Sequence, residues 1–449
     1  MFSDSIAYLV DLVWGPQLVA LLFFGGIYLF IRSKGRPLKR IGLGIKIAFG
    51  LSHFGTDQKS VGQLSHFQAL SNALAATIGL GNIAGVAVAI TQGGPGALLW
   101  IWVSGFVGMN TKFYESTLAL MYRGKDALGE VQGGPMYYIP QIIKGRWGRW
   151  LAVFFALAGL VGTQAMFQAN QLASYLESEA SFSPYLTGIF LALFAGVVLM
   201  GGLKRIAAVT STLVPVMCVL YVFMSIGVIA LNYSKVPSVF YLIFSEAFSL
   251  ESIGGGVLGY AIIQAFQIGI KRGGFSNEAG IGTAPMAHSN AKTSEPVSEG
   301  LVSMIGPLLD SVIVCTMTAL VILLTTDLSL LDPNKTQGIQ LTTEAFSSQY
   351  GYWGAVGLGI CVFFFSISTV VGMSNYNEKC WLFIFRERYI FKRPMFVVTF
   401  CIFLFLAAIG NIEDVVNLLD IGYGLMAYPN MLAVLLASTL VTKEIREKL

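Results

Sequence analysis

The stretch from Ser65 to Gln92, SHFQALSNALAATIGLGNIAGVAVAITQ, is hydrophobic over the length of a membrane helix, yet Gly79-Leu80-Gly81-Asn82 interrupts it at the middle. Glycine weakens a helix and leaves backbone N–H and C=O groups unpaired, which hydrocarbon tolerates only where the break faces a cavity, a ligand or other protein. The stretch therefore predicts a helix broken near the bilayer midplane, and with it a binding site. A counterpart is expected between Gly254 and Met286, where glycines stand at 269, 273, 274, 280 and 282. Paired glycine-interrupted segments in corresponding positions of two halves point to the substrate site of a secondary transporter.

The rest of the chain agrees with a membrane setting. Of its 449 residues 55% are hydrophobic and only 12% charged, with a mean hydropathy of +0.70. That is more apolar surface than a soluble domain buries, so the chain reads as an all-α polytopic membrane protein with one transmembrane domain over 1–449. Cysteines at 218, 315, 361, 380 and 401 lie in or beside apolar spans without paired spacing, which implies neither a disulfide framework nor a zinc site. The N-terminal MFSDSIAYLVDLVW carries Asp4 and Asp11 but no Lys or Arg, against a cleaved signal peptide. There is no Walker loop to suggest that ATP supplies the energy. HExxH, GxSxG and paired catalytic carboxylates are also missing, so the chain reads as a non-enzyme with no organic cofactor and no nucleic-acid partner.

Apolar spans fall near 16–31, 65–92, 96–121, 149–176, 185–201, 206–231, 254–287, 300–325, 353–384, 395–410 and 414–440, about eleven helices. The segment from Arg32 to Lys59 is basic, and alternate loops follow it with Arg123, Lys125, Lys144, Arg146 and Arg149, then Lys204 and Arg205, Lys292, Arg386, Arg388, Lys392 and Arg393, and finally Lys443, Arg446 and Lys448. The opposite loops carry Glu177, Glu179, Glu246, Glu251, Asp327, Asp332, Glu413 and Asp414. By the positive-inside rule the N-terminus lies outside and the C-terminus in the cytoplasm. Eleven helices parse as an extra helix and basic loop (1–64), a first five-helix repeat (65–231) and a second, inverted one (254–440). Ser234 to Leu250 and Pro333 to Tyr350 are expected to form short helices at the outer surface.

Several polar residues stand inside the apolar spans. A helix resuming at Asn82 presents N–H groups and a positive dipole end suited to a carboxylate, while the carbonyls before the break suit a cation. The alternative is that Gly79, Gly81 and Gly85 are packing faces. Gln164, Gln168 and Gln171 share one helix face, either for a substrate, with Gln168 nearest the middle, or as interhelical hydrogen-bonding glue. The carbonyl of Phe365 with the hydroxyls of Ser368 and Thr369 puts three oxygens on one face, chemistry suited to a hard alkali cation, unless those hydroxyls bond their own helix backbone. Asp310, Asp420, Glu115 and Glu278 are proton or cation sites, or else structural partners of Lys271, Arg272 or Lys112. His53, His66 and His288 show no metal spacing and read as interfacial residues.

The runs Ser65-His66-Phe67-Gln68-Ala69-Leu70, Ala75-Ala76-Thr77-Ile78-Gly79, Gly81-Asn82-Ile83-Ala84-Gly85-Val86-Ala87, Gly133-Gly134-Pro135-Met136-Tyr137, Lys271-Arg272-Gly273 and Phe275-Ser276-Asn277-Glu278-Ala279-Gly280 closely resemble the alanine or glycine:cation symporters, the sodium:alanine symporter family. The resemblance covers nearly the whole chain. It implies a leucine-transporter-type fold of two inverted five-helix repeats after one extra helix, and sodium-coupled uptake of a small neutral amino acid across the plasma membrane of a prokaryote, the inner membrane in a Gram-negative cell. It also implies that Gly79, Leu80, Gly81 and Asn82 meet the substrate carboxylate, that Gln168 touches the substrate, and that Phe266, Gln267, Ile268 and Gly269 supply a broken sixth helix. Sodium would take the carbonyls of Ala75, Ile78 and Phe365 and the hydroxyls of Ser368 and Thr369, with Thr369 also at the substrate.

The chain departs from the family at Leu80, where Thr is usual, at Met373, where Trp is usual, and at Ile268, where Trp is frequent. A thioether at 373 and an aliphatic chain at 268 would reshape the side-chain end of the pocket, and Gln267 would add a polar group. Alanine and glycine are the expected substrates, with serine and glutamine beside them. A proton-coupled symporter with Asp310 as carrier, and an uncoupled facilitator or channel, are the competing readings.

Overall fold

The computed structural model describes residues 2–55, 60–125, 129, 131–248, 257–327, 338–385 and 389–449. Lys59, Glu251, Gly254, Asp332, Arg386 and Arg388, which entered the sequence reading, lie outside the described residues. Helices occupy each stretch expected to span. Six of the described helices are long and apolar enough to cross a membrane, and seven if one bent pair counts as a single span. The two connections expected at the surface form the helices Val236–Phe248 and Ile339–Tyr350. The sequence reading missed Phe2–Val13, which precedes Pro16–Ser33, and a two-stranded hairpin pairing Gly124–Lys125 with Val131–Gln132. All five cysteines are free.

The bent pair is the stretch that opened the sequence reading. His66–Thr77 starts on a capping box: Ser65 accepts from the Gln68 N–H at 3.1 Å and the Gln68 side chain accepts from the Ser65 N–H at 3.0 Å. The chain then extends through Ile78 and Gly79, makes a single 3-10 turn over Leu80–Asn82 and resumes as Ala84–Gly93, bent by 56°. Gly79 is required by contact, because a Cβ there would sit 2.5 Å from the Thr369 hydroxyl.

The second interruption falls at Gly280 and Gly282 of the glycine pattern, and not where the family resemblance put it. The expected break at Phe266 to Gly269 is absent, and Val257–Asn277 runs through it unbroken. The chain leaves the helix only at Glu278 (φ 55°), Gly280 (φ 87°) and Gly282 (φ 96°), then re-enters one at Ala284–His288. The reason is packing. A Cβ at Gly269 would meet Trp100 at 2.5 Å and the Ala97 carbonyl at 2.6 Å, and one at Gly273 would meet Ser104 at 2.7 Å. These glycines bring the helix close to Ala97–Met121 without breaking it.

Two further irregularities matter for the site. The expected span 149–176 is split into Arg146–Gly162 and Met166–Ala180, with Ala165 in the left-handed region at φ 55°. Within Pro296–Thr325 the turn widens to a π-helix over Leu308–Val314, which carries Asp310. Widened turns of this kind are frequent at functional sites.

Candidate functional site

The two interruptions meet at one carboxylate. Asn82, from the first, donates through Nδ2 to Asp310 Oδ1 at 2.6 Å and to Ser276 Oγ at 3.1 Å, while its Oδ1 accepts the Gly79 N–H at 3.0 Å. Ser276, just before the second interruption, donates to Asp310 Oδ2 at 2.9 Å, and so does Ser311. Asn82, Ser276, Asp310 and Ser311 are all buried. The resemblance implies that Asn82 meets the substrate carboxylate mostly through the backbone; its side chain braces the break.

Beside this brace lies a cavity of about 20 Å³, roughly the room of one water, lined by Ala76, Thr77, Gly81, Gly162, Ala165, Phe167, Gln168, Phe275, Ser276, Glu278, Met373, Leu419 and Tyr423. Gly81, Gln168 and Met373 were expected at the substrate. Gln164 and Gln171 are not among the lining residues, and the expected shared face of the three glutamines is broken, because Gln164 lies in the interruption between Gly162 and Met166. Leu80 is fully buried in the apolar core.

The group at 266–269 is displaced from the cavity. The Phe266 ring packs edge-on against Phe23 and Trp100, with centroids 5.4 and 4.8 Å away, Gln267 is exposed, and Ile268 lies against Gly93. Their place is taken by Phe275, Ser276 and Glu278, a helical turn or two further on. The polar run Ser276-Asn277-Glu278 inside an apolar span was the available signal. Tyr423 and Leu419 had no local signal, being single residues of the apolar helix Ile412–Leu436.

Glu278 holds the left-handed corner of the second interruption. Its carboxylate accepts from Thr283 Oγ1 at 2.5 Å and from the Tyr423 hydroxyl at 2.7 Å, and that hydroxyl also lies 3.4 Å from Met373 Sδ. Asn430 bonds Glu115 and donates to the Gly280 carbonyl at 2.8 Å, fixing the next turn of the same corner. Lys112 is the buried cation in the electrostatic reach of Glu115, Glu278 and Asp310. Asp420 pairs with Lys271 at 3.3 Å, and this lysine sits over the Trp14 ring at 5.7 Å. That pairing accords with the structural alternative for Asp420.

The oxygens proposed for a cation lie where Tyr352–Ile384 passes the first break. Ala75, Ile78, Phe365, Ser368 and Thr369 are all fully buried. A Cβ at Gly372 would approach the Ala76 nitrogen at 2.6 Å and the Ala75 carbonyl carbon at 3.0 Å, so the two helices touch there by backbone. Ser368 donates to the Phe365 carbonyl at 3.0 Å and to Met217 Sδ at 3.0 Å. The hydroxyls of Ser366 and Thr369 are buried without a partner, and the Thr369 hydroxyl faces Gly79. An orphaned hydroxyl beside the last carbonyls of a helix, which lack intrahelical partners, fits a hard cation. The described residues hold no cluster of His, Cys, Asp and Glu suited to a transition metal.

Comparison with known proteins places this architecture. The chain is 39% identical over 447 residues to the sodium/alanine symporter AgcS of Methanococcus maripaludis, spanning 99% of this chain and 96% of that one. It is 34% identical to the probable sodium/glutamine symporter GlnT of Bacillus subtilis, over 97% and 88% of the two chains. Among solved structures, MhsT in complex with L-phenylalanine superposes with a TM-score of 0.59 at 14% identity, covering 86% of this chain and 99% of that one. A Na+-coupled sialic acid symporter in a substrate-bound outward-open state gives 0.56 at 14% identity, over 95% and 98%. These likenesses identify a polytopic helical transporter fold and no enzyme. Residues 1–448 match the profile of the sodium:alanine symporter family, and the chain belongs to that family.

Proposed function

We propose that the protein is a secondary active symporter that couples inward sodium flow to uptake of a small neutral amino acid by alternating access. The observation that carries the reading is the orphaned Thr369 hydroxyl facing Gly79 at the break, beside a small cavity lined from both interrupted segments. In this reading sodium binds among the Ala75, Ile78 and Phe365 carbonyls and the Ser368 and Thr369 hydroxyls. The substrate carboxylate meets the backbone at Gly79 to Asn82, and Gln168 and Met373 bound the rest of the molecule. The bundle is one extra helix with its basic loop (1–64) followed by inverted five-helix repeats (65–231 and 254–440). It lies in a prokaryotic plasma membrane, the inner one in a Gram-negative cell, with its N-terminus outside and C-terminus inside.

Alanine and glycine are the primary candidates, with serine and glutamine beside them. Met373, where the family usually has Trp, is a flexible thioether that a larger side chain can displace. The polar groups that would meet such a side chain are Gln168 and Glu278, since Gln267 is exposed. Proton coupling through Asp310 is the second reading. That carboxylate is held by Asn82, Ser276 and Ser311 inside the brace between the two interruptions.

The test is counterflow and uptake in proteoliposomes against the twenty amino acids, in sodium and in choline. Uptake in sodium that vanishes in choline is expected. A zwitterion moving with one Na+ carries net charge, so uptake should rise with an inside-negative potential. With about 2.3 kcal/mol per 100 mV and about 1.4 kcal/mol per tenfold sodium gradient, accumulation of roughly several hundredfold is accessible. Uptake indifferent to both sodium and potential would overturn the reading in favour of facilitation.

A further inference from the structure

Away from the pocket, three elements converge on one buried carboxylate. Glu299, in the first turn of Pro296–Ser303, is fully buried. Its Oε1 binds His288 Nδ1 at 2.6 Å, and its Oε2 binds His66 Nδ1. His66 opens the first interrupted segment and His288 closes the second. The same carboxylate thus holds the near ends of both.

The backbone around it is tied in the same sense. The N–H groups of Gln63 and Leu64 donate to the Asn290 carbonyl at 2.9 and 3.0 Å, Lys292 N–H to Leu64 at 2.7 Å, and Thr293 N–H to Val61 at 3.2 Å. Arg123 donates to the carbonyls of Val61 at 2.8 Å, Thr293 at 3.3 Å and Ala291. A polar cavity of about 390 Å³ opens beside the tie, with Gln63, Lys204, Asn290 and Lys379 on its walls.

We propose that Glu299 is the positioning residue of the inner gate: by holding His66 and His288 on its two oxygens it keeps the inner ends of the interrupted segments together, and inward release requires both contacts to part. The inference rests on the reading of these segments as the moving helices of an alternating-access transporter with this end facing the cytoplasm. A neutral imidazole with its proton on Nδ1 already donates to a carboxylate, and protonation of His66 adds opposite charge to its contact. Acid on this side therefore tightens the gate. The other charged and titratable groups around it are Arg123 across the seam, Lys292 and Lys379 beside it, His53 in the groove that His66 lines, Lys46 on Ile41–Ala48, and the Glu295–Lys448 pair.

The test is amide hydrogen exchange of the whole protein in nanodiscs, read at Gln63, Leu64, Lys292 and Thr293 and corrected for intrinsic exchange. In the wild type, protection at these amides should rise several-fold from pH 8 to pH 5.5. Glu299→Gln keeps a hydrogen-bonding group of the same size but loses the charge, so protection should fall about tenfold and lose its pH trend. Glu299→Asp should restore part of that trend. His66→Gln and His288→Gln should each remove about half, and they carry the test if Glu299→Gln does not fold. Protection without a pH trend in the wild type, or an unchanged trend in Glu299→Gln or in both histidine variants, overturns the proposal. The measurement needs no substrate, so a protein that fails to take up amino acids in sodium would refute the symporter reading and leave this result standing by itself.

Discussion

The two interrupted segments solve one problem by different chemistry. In the first, glycine makes the break: Gly79 extends the chain where no side chain fits against Thr369, and Asn82 caps it from within. In the second, the glycines at 269 and 273 are packing surfaces, while the break is made by Gly280 and Gly282 together with the non-glycine Glu278, whose left-handed backbone is held by Tyr423 and Thr283. A glycine in a membrane helix therefore marks either a break or a close approach, and its neighbours decide which.

That comparison breaks most sharply at the glycines themselves. Gly79→Ala is expected to reduce uptake at least a hundredfold, because the new Cβ must displace Thr369 from the proposed site. Gly269→Ala should instead act on stability, by about 1–3 kcal/mol of overpacking against Trp100. Uptake and thermal unfolding measured on both variants check this. Equal uptake losses at equal stability would mean that the two glycines do the same job.

A smaller effect is expected at the cation oxygens. Thr369→Ala combined with Ser368→Ala should raise the sodium concentration for half-maximal uptake about tenfold or more, while Ser366→Ala should shift it less than twofold. Ser366 is the demanding control because its hydroxyl is also buried and unpartnered. Sodium titrations of uptake decide it, and equal shifts would remove the assigned site.

The smallest change concerns selectivity. Met373→Trp is expected to leave glycine and alanine competition within about twofold and to abolish competition by the largest accepted side chain, since the indole is bulkier than the thioether that lines the cavity beside Tyr423. An unchanged competition profile would show that residue 373 does not bound the pocket. The loss of one methylene-sized allowance is worth only about 1–3 kcal/mol in an apolar pocket, so the profile has to be read across several substrates.

How much of this was legible in the sequence follows from the range of the interactions involved. The break at 79–82 and the helix positions rest on local pattern, while Gly81, Gln168 and Met373 were placed together by the family resemblance, at 373 through a position that departs from it. The position of the second break did not, because Gly269 looks the same whether it faces a ligand or Trp100, and only the packed neighbour tells them apart. Tyr423 and Glu278 lie 145 positions apart in the chain, so nothing local could pair them. The same holds for His66 and Glu299, 233 positions apart, which turned histidines read as interfacial into a shared buried contact.

The bracing of Asp310 by Asn82 and Ser276 has a mechanical consequence. Both interruptions are hydrogen-bonded to the same π-turn, so at that level they form one stiff body. Against Tyr352–Ile384 the first of them makes contact through Gly79 with Thr369 and Gly372 with Ala75 and Ala76. Such a seam can slide. An ion shared across it would act as a removable dowel, and the cost of withdrawing the dowel would be the free energy by which a gradient of that ion sets the direction of the sliding.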